Sequence, residues 1–193
     1  SAAANITPAM LELGGKNPAI VFPDADLDAA LETVLANAYF NSGQACTNPE
    51  RLLLHDSIYD EFLARFAEKV AALNVGDPFD AATQIGPLAS KEQVERMTDY
   101  VDLARAEGAE VVAQAELPAD SDLADGNWAR PTLIAGVTPD MRVAQEEVFG
   151  PFVGVMSFAD ENEAIDIANG VEYGLSTAVF TSDIDRAHRV ADA

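Results

Sequence analysis

One residue in this sequence has the chemistry of a covalent catalyst. Cys46 is the single cysteine of the chain and lies in the segment GQACT, residues 43–47. A thiolate is a strong nucleophile, and a glycine ahead of it allows a tight turn that exposes the thiol to a cleft, with backbone N–H groups nearby. A lone cysteine is also common as a small buried apolar residue, so the residue type alone leaves both interpretations open.

A second candidate for chemistry is Glu12, in the segment LELGGK at residues 11–16. An acid between two leucines has apolar neighbours, which disfavour its charged form and suit a general base. Gly14 and Gly15 follow directly and permit a close approach of the backbone. An exposed glutamate on a strand edge would have the same local sequence, so Glu12 is not decisive by itself.

A third segment completes a pattern that extends over the chain. The segments around Glu12 and Cys46, followed by QEEVFGPF at residues 145–152, resemble the aldehyde dehydrogenase superfamily in their order and separation. Weaker matches extend the resemblance to essentially the whole sequence. They are IGPL at 85–88, RPTL at 130–133 and segments between 168 and 181.

The resemblance implies a mechanism in two halves. The thiolate of Cys46 would attack an aldehyde carbon, and the Cys46 backbone N–H would hold the resulting oxyanion. Hydride transfer from this thiohemiacetal to NAD or NADP would leave a thioester. Glu12 would then activate the water that releases a carboxylic acid. Relatives that pass the acyl group to coenzyme A usually lack this base, so Glu12 favours hydrolysis.

The resemblance also implies the contacts of the cofactor. Glu147 would hold the hydroxyls of the nicotinamide ribose, Phe149 would pack near the nicotinamide ring, and Gly14 would lie beside the cofactor. The structural alternative is that Phe149 fills a core beside a turn at residues 150–151.

Five further residues are assigned structural or surface roles. Packing and loop support are expected for Lys16, Arg51 and Asn169. His55 and His188 fall in no matched motif, so we expect both at the surface, and two scattered histidines predict no metal site.

The apolar pattern predicts the fold class. Strand-like runs alternate with helix-period segments, which is typical of an α/β protein with an open, mostly parallel sheet flanked by helices. Predicted strands are 18–22, 51–54, 110–113, 132–137, 153–158 and 177–180. Predicted helices are 27–40, 58–73, 91–107, 161–169 and one opening near residue 183. Expected helix caps are Asp24, Asp26, Ser57 and Asp183.

The domain boundaries follow from the resemblance. Residues 1–14 would end a cofactor-binding domain, and residues 15–193 would belong to a catalytic domain. Both ends fall within recognisable patterns, so we expect a longer polypeptide that also carries the glycine-rich dinucleotide-binding segment. Relatives are usually oligomeric, and a homodimer or homotetramer is expected.

The charge of the chain excludes several classes of partner. Its 33 acidic and 11 basic residues give a formal net charge of −22, which repels nucleic acid and anionic membranes. The acids are scattered, as in the salt-tolerant surfaces of halophilic proteins. No signal peptide or membrane-spanning run is visible, so the cytoplasm is the expected location.

Two other classes of function compete with the enzyme. A non-catalytic protein or inactive fragment could retain the fold, although such a protein would be expected to lose Cys46 or Glu12. A cation-binding or partner-docking module would need clustered carboxylates in a ligand pattern. The acids at 24, 26 and 28 are not followed by the glycine and glutamate of an EF-hand loop.

Overall fold

The computed structural model describes residues 2–193 as one sheet covered by helices. The strands are β1 (Asn17–Val21), β2 (Pro49–His55), β3 (Glu110–Gln114), β4 (Thr132–Ala135), β5 (Phe152–Phe158) and β6 (Ala178–Phe180). The α-helices are α1 (Leu27–Ala38), α2 (Tyr59–Ala71), α3 (Lys91–Glu107), α4 (Arg142–Gln145), α5 (Glu161–Asn169) and α6 (Ile184–Asp192). Short 3-10 turns are Ala2–Asn5, Phe40–Gly43, Asp56–Ile58 and Ser121–Leu123.

The sheet has the strand order β3-β4-β5-β2-β1-β6. Every neighbouring pair is parallel except β3 and β4, which are antiparallel. The predicted fold class, an open and mostly parallel sheet flanked by helices, is therefore confirmed.

Two apolar clusters lie on opposite faces of the sheet. In β5, Val153 and Val155 belong to the cluster that contains residues of α1 and α2, whereas Phe152 and Met156 belong to the cluster that contains residues of α3 and α5. Side chains alternate between the faces of a strand, so burial on both faces explains why the central strands are continuous apolar runs.

The helix boundaries follow local signals. Helix α3 has its predicted bounds and ends at Gly108, whose φ of 103° is the left-handed conformation that terminates many helices. Helix α1 ends before its predicted limit, where the 3-10 turn Phe40–Gly43 follows, and α2 begins after the 3-10 turn Asp56–Ile58. Helix α2 also ends at Ala71, slightly earlier than predicted. None of the helices that the structure describes is long and apolar enough to cross a membrane.

Two of the four predicted caps are correct. Asp26 accepts a hydrogen bond from the Ala29 N–H at the start of α1, and Asp183 accepts from two N–H groups of α6. The prediction for Asp24 is wrong, because its carboxylate instead binds the segment that follows β6. Ser57 is not a cap either. It lies within a 3-10 turn that is capped by the ring of His55.

Candidate active site

The site forms where three central strands begin. Residues 14–16 precede β1, residues 44–48 precede β2, and residues 146–151 precede β5. These three strands are adjacent and parallel, so their amino ends meet at one edge of the sheet. A cleft of about 530 Å³ lies at this edge. It is lined by Glu12, Leu13, Gly14, Gln44, Ala45, Cys46, Glu147 and Phe149.

All five residues proposed from the sequence for catalysis or cofactor binding therefore line one cleft. They are Glu12, Gly14, Cys46, Glu147 and Phe149. The hydrogen bond from the Gly15 N–H to Glu147 joins segments that are 132 positions apart in the sequence. The parallel order of β5, β2 and β1 brings them together.

The turn ahead of Cys46 has an unusual backbone. Asn41, Ser42 and Gly43 all have positive φ, at 50°, 56° and 75°. A Cβ atom at Gly43 would lie 2.0 Å from the carbonyl oxygen of Gly150, so this turn packs directly against the backbone ahead of β5. The predicted tight turn is confirmed, and glycine is required at position 43 by both its φ and this contact.

The backbone around Cys46 is held by its neighbours. The Asn48 N–H donates to the Ala45 carbonyl at 3.0 Å and closes a turn over Cys46. The side-chain amide of Asn17 donates to the Cys46 carbonyl at 2.7 Å. Within residues 2–193 no acceptor binds the Cys46 N–H. The half-buried thiol thus lies beside an N–H group that can bind a substrate oxygen.

Glu12 reaches the cleft from an extended segment. Residues 7–16 contain no helix or strand, and Glu12 is exposed. The flanking Leu11 and Leu13 are 72% and 68% exposed, so the expectation that they give the carboxylate an apolar environment is wrong for the structure described. Its position in the cleft with Cys46, not its leucine neighbours, is what supports a role in chemistry.

The carboxylate of Glu147 is fitted against the two glycines. The Gly15 N–H donates to Glu147 Oε1 at 3.0 Å, and a Cβ atom at Gly14 would lie 2.0 Å from Glu147 Oε2. Any larger residue at position 14 would displace this carboxylate. Oε2 has no donor among residues 2–193, which leaves it able to accept hydrogen bonds from a ligand in the cleft.

Phe149 is held in a conformation that is rare for an aromatic residue. Its φ is 58°, and its side chain is half-buried beside the cleft. The alternative in which Phe149 simply fills the core is therefore wrong. Glu50 accepts hydrogen bonds from the Val148 N–H at 2.8 Å and from the Phe149 N–H at 2.7 Å.

Comparison with known proteins identifies the family. The sequence model of the aldehyde dehydrogenase family matches residues 1–193. The chain belongs to the aldehyde dehydrogenase family. It is 45% identical over 192 residues to betaine aldehyde dehydrogenase from Rhizobium leguminosarum bv. trifolii, covering 100% of this chain and 39% of that protein. The chain thus spans well under half the length of the curated relatives it matches.

Solved structures agree with this assignment. A crystal structure of betaine aldehyde dehydrogenase from Staphylococcus aureus in complex with NAD+ is 44% identical, with a TM-score of 0.94 over 99% of this chain and 38% of that one. A putative aldehyde dehydrogenase from Burkholderia cenocepacia is 45% identical, with a TM-score of 0.95 over 99% of this chain and 39% of that one.

A buried ion pair lies beneath the cleft. Lys16 Nζ lies 2.5 Å from Glu50 Oε2, and the two side chains are 0% and 4% exposed. Burial lowers the pKa of Lys16, and the adjacent Glu50 carboxylate opposes that shift. The structural role expected for Lys16 is confirmed. Glu50 was not predicted as part of the site, although a charged residue at the start of an apolar strand indicates a buried partner.

Arg51 also has the structural role expected of it. Its guanidinium donates to the carbonyls of Lys16, Ile167 and Ala168 at 2.7, 2.7 and 2.8 Å. Burial lowers the pKa of Arg51 to about 10. This side chain ties the start of β1 to the end of α5. Asn169 donates to the carbonyl of Ala193 at 3.3 Å. This hydrogen bond is structural, and Asn169 does not line the cleft.

The two histidines lie away from the cleft. His188 is exposed, as expected, whereas His55 is half-buried and packs its ring edge against Phe158. In the part of the chain that the structure describes, no group of three or more His, Cys, Asp or Glu residues is arranged to hold a metal ion.

Proposed function

We propose that this chain supplies the nucleophile and the deacylating base of an NAD(P)-dependent aldehyde dehydrogenase, which oxidises an aldehyde to a carboxylic acid. The observation that carries the proposal is the convergence of Cys46, Glu12, Glu147 and Phe149 on one cleft. The single cysteine of the chain lies there, which favours catalysis over a non-catalytic protein that retains only the fold.

Cys46 is the nucleophile in this proposal. Its sulfur bonds to the aldehyde carbon, and the carbonyl oxygen becomes an oxyanion beside the Cys46 N–H. That group is positioned by the turn from residue 45 to residue 48. A backbone donor fixed before the reaction stabilises the developing charge without the cost of reorganisation.

The residues around the cleft fit a nicotinamide cofactor. NAD or NADP, when bound, supplies the hydride acceptor that converts the thiohemiacetal on Cys46 to a thioester. Glu147 keeps Oε2 for the hydroxyls of a ribose, since Oε1 already binds the Gly15 N–H. The half-buried ring of Phe149 offers an apolar wall. Residues 1–14 then close a cofactor domain whose remainder lies outside these 193 residues.

Glu12 is the base of the second half-reaction. It takes a proton from a water molecule, which attacks the thioester carbon and releases the carboxylic acid, and the Cys46 thiolate leaves. The carboxylate is exposed at the cleft, so water reaches it. A base held within hydrogen-bond reach of the attacking water contributes roughly 10²- to 10⁴-fold.

The proposal is tested by NAD(P)H formation in the full-length polypeptide that carries this chain. The aldehyde panel begins with betaine aldehyde, because several relatives bear that name. Cys46→Ala is expected to lower kcat by at least about 10³-fold. Glu12→Gln is expected to release one equivalent of reduced cofactor in a burst and then to stall at the thioester.

Glu172→Gln is the matched control, because Glu172 is exposed and does not line the cleft. It should retain the activity of the parent.

A parent that is silent with every aldehyde and both cofactors would favour the non-catalytic alternative. Full activity in Cys46→Ala would exclude the thioester mechanism. Turnover of Glu12→Gln restored by coenzyme A would indicate acyl transfer. Light scattering on the same samples tests the predicted homodimer or homotetramer.

A further inference from the structure

Glu50 lies outside the cleft but contacts two of the segments that form it. We propose that Glu50 is a positioning residue, whose carboxylate fixes the backbone of residues 148–149 and thereby sets the affinity for the nicotinamide cofactor. This inference rests on the proposed function.

Three donors converge on the two oxygens of Glu50. Oε2 accepts from Lys16 Nζ at 2.5 Å and from the Val148 N–H at 2.8 Å. Oε1 accepts from the Phe149 N–H at 2.7 Å. Hydrogen bonds to an ionised acceptor are stronger than neutral ones, and burial strengthens them further. One carboxylate thus joins the start of β1 to the backbone ahead of β5.

The carbonyls of the same residues are held from the opposite side by α3. Gln93 Nε2 donates to the carbonyls of Val148 and Phe149, at 3.0 and 2.6 Å. Arg96 Nε donates to the Val148 carbonyl at 3.1 Å. The N–H and C=O groups of both residues are therefore fixed by side chains from two different elements.

These contacts explain the backbone of Phe149. A non-glycine residue with a φ of 58° persists only where its surroundings determine it. Glu50 holds the Phe149 N–H and Gln93 holds the Phe149 carbonyl, so the peptide groups on both sides of the Phe149 Cα are fixed and this conformation is maintained. It directs the Phe149 ring to the cleft and leaves Glu147 beside Gly14. Loss of the carboxylate would release both cofactor-facing side chains.

Glutamine cannot replace Glu50 at this position. A carboxylate has two acceptor oxygens, whereas an amide has one oxygen and an NH₂ group that donates. In Glu50→Gln, the Val148 or the Phe149 N–H would therefore face another donor. Lys16, which is fully buried, would also lose its counter-charge. The double variant Lys16→Met/Glu50→Gln removes the unpaired charge but does not restore the second acceptor.

The experiment compares the parent, Glu50→Gln and the double variant in the full-length polypeptide. NAD+ affinity is measured by titration calorimetry, backbone protection at residues 147–152 by hydrogen exchange, and stability by thermal unfolding. In Glu50→Gln we expect the Kd for NAD+ to rise about tenfold and exchange at 147–152 to accelerate about tenfold. The double variant should recover only part of the melting temperature, and neither the affinity nor the protection.

The matched control is Glu32→Gln, which breaks the exposed pair between Glu32 and Lys69 and should change none of the three measurements. Unchanged NAD+ affinity in Glu50→Gln overturns the inference, and so does full recovery of affinity in the double variant, which would show a purely structural role. A parent that binds NAD+ but oxidises no aldehyde overturns the proposed function alone, because calorimetry still decides the role of Glu50. A parent that binds neither NAD+ nor NADP+ overturns both.

Discussion

A single buried amide controls the backbone at the proposed nucleophile. Asn17 is 3% exposed, and its Nδ2 donates to the carbonyls of Cys46 and Asn48 at 2.7 and 3.0 Å. Its Oδ1 accepts from the Ser176 N–H at 3.0 Å. Because the Cys46 carbonyl is fixed, so is the ψ angle of the residue that carries the thiol. Asn17 therefore sets the direction of Cys46 without lining the cleft.

Asn17→Asp tests this arrangement with almost no change of shape. The acid still accepts from Ser176 but cannot donate, so its oxygen faces two carbonyl oxygens. Loss of two buried hydrogen bonds is expected to cost about 3 kcal/mol of unfolding free energy, measured by urea denaturation. The burst rate of NAD(P)H formation should fall about 10²-fold as the thiol shifts.

Asn37→Asp is the control for that change. Asn37 is exposed and makes one hydrogen bond, to the Thr33 carbonyl of its own helix. It should lose less than about 0.5 kcal/mol and keep the parental burst. If Asn17→Asp kept the parental burst rate as well, Asn17 would have no influence on the geometry of Cys46.

At the scale of elements, the sequence predicts what is local. Helix α3 has its predicted bounds, and its N-cap Ser90 and terminal Gly108 lie next to the pattern they bound. The six strands were also predicted to within a few residues. A strand that is buried on both faces has apolar side chains at successive positions, and such runs are visible in the sequence. The five site residues proposed from the sequence motifs are among those that line the cleft.

Contacts between distant elements were not predictable from local pattern. Glu50 reaches Phe149 across 99 positions, and Asn17 reaches Ser176 across 159. Both depend on strand order, which periodicity does not encode. Asp24 shows the same limit, since Asp24 and Asp26 are equivalent by sequence. Only Asp26 lies at capping distance, whereas the pairing of β1 with β6 brings Asp24 to another segment.

The contact between Asp24 and the segment that follows β6 depends on pH. Partial burial raises its pKa, but hydrogen bonds from Thr181 and Ser182 outweigh that effect and lower it from the usual 3.8 to about 2. Arg186 also pairs with this carboxylate, at 2.5 Å. A carboxyl whose pKa is depressed in the folded state stabilises the fold above its unfolded pKa. That contribution is lost as the pH falls through the folded value.

We therefore expect Asp24→Asn to lower the melting temperature at about pH 7, and this difference from the parent to shrink as the pH falls from about 4 to about 2. Thermal unfolding across that range measures it. Thr181→Val removes one of the donors that lower the pKa and should show a weaker pH dependence. A difference in melting temperature between the parent and Asp24→Asn that stays constant down to the lowest pH would contradict this prediction.

At the scale of the whole molecule, most of the acidic side chains have no cationic partner. Among residues 2–193, ion pairs involve nine acids, while the sequence contains 33. Several of the few cations serve buried or backbone contacts instead, as Arg51 does. The net charge of −22 is therefore a repulsive surface field that the fold does not cancel, and it opposes the compact state.

Salt should relieve this repulsion. The Debye length falls from about 30 Å at about 0.01 M to about 8 Å at about 0.15 M, so the melting temperature is expected to rise most steeply over that range, and equally in NaCl and KCl. Combining Glu95→Gln with Asp166→Asn, both at exposed positions, should raise the melting temperature at low salt and flatten its dependence on salt. If the dependence were steeper in KCl than in NaCl, a bound cation and not screening would explain it. If the salt dependence of the melting temperature were unchanged in the double variant, the repulsion would arise from charges other than Glu95 and Asp166. The sign of the surface charge would then not predict the salt conditions in which this protein is stable.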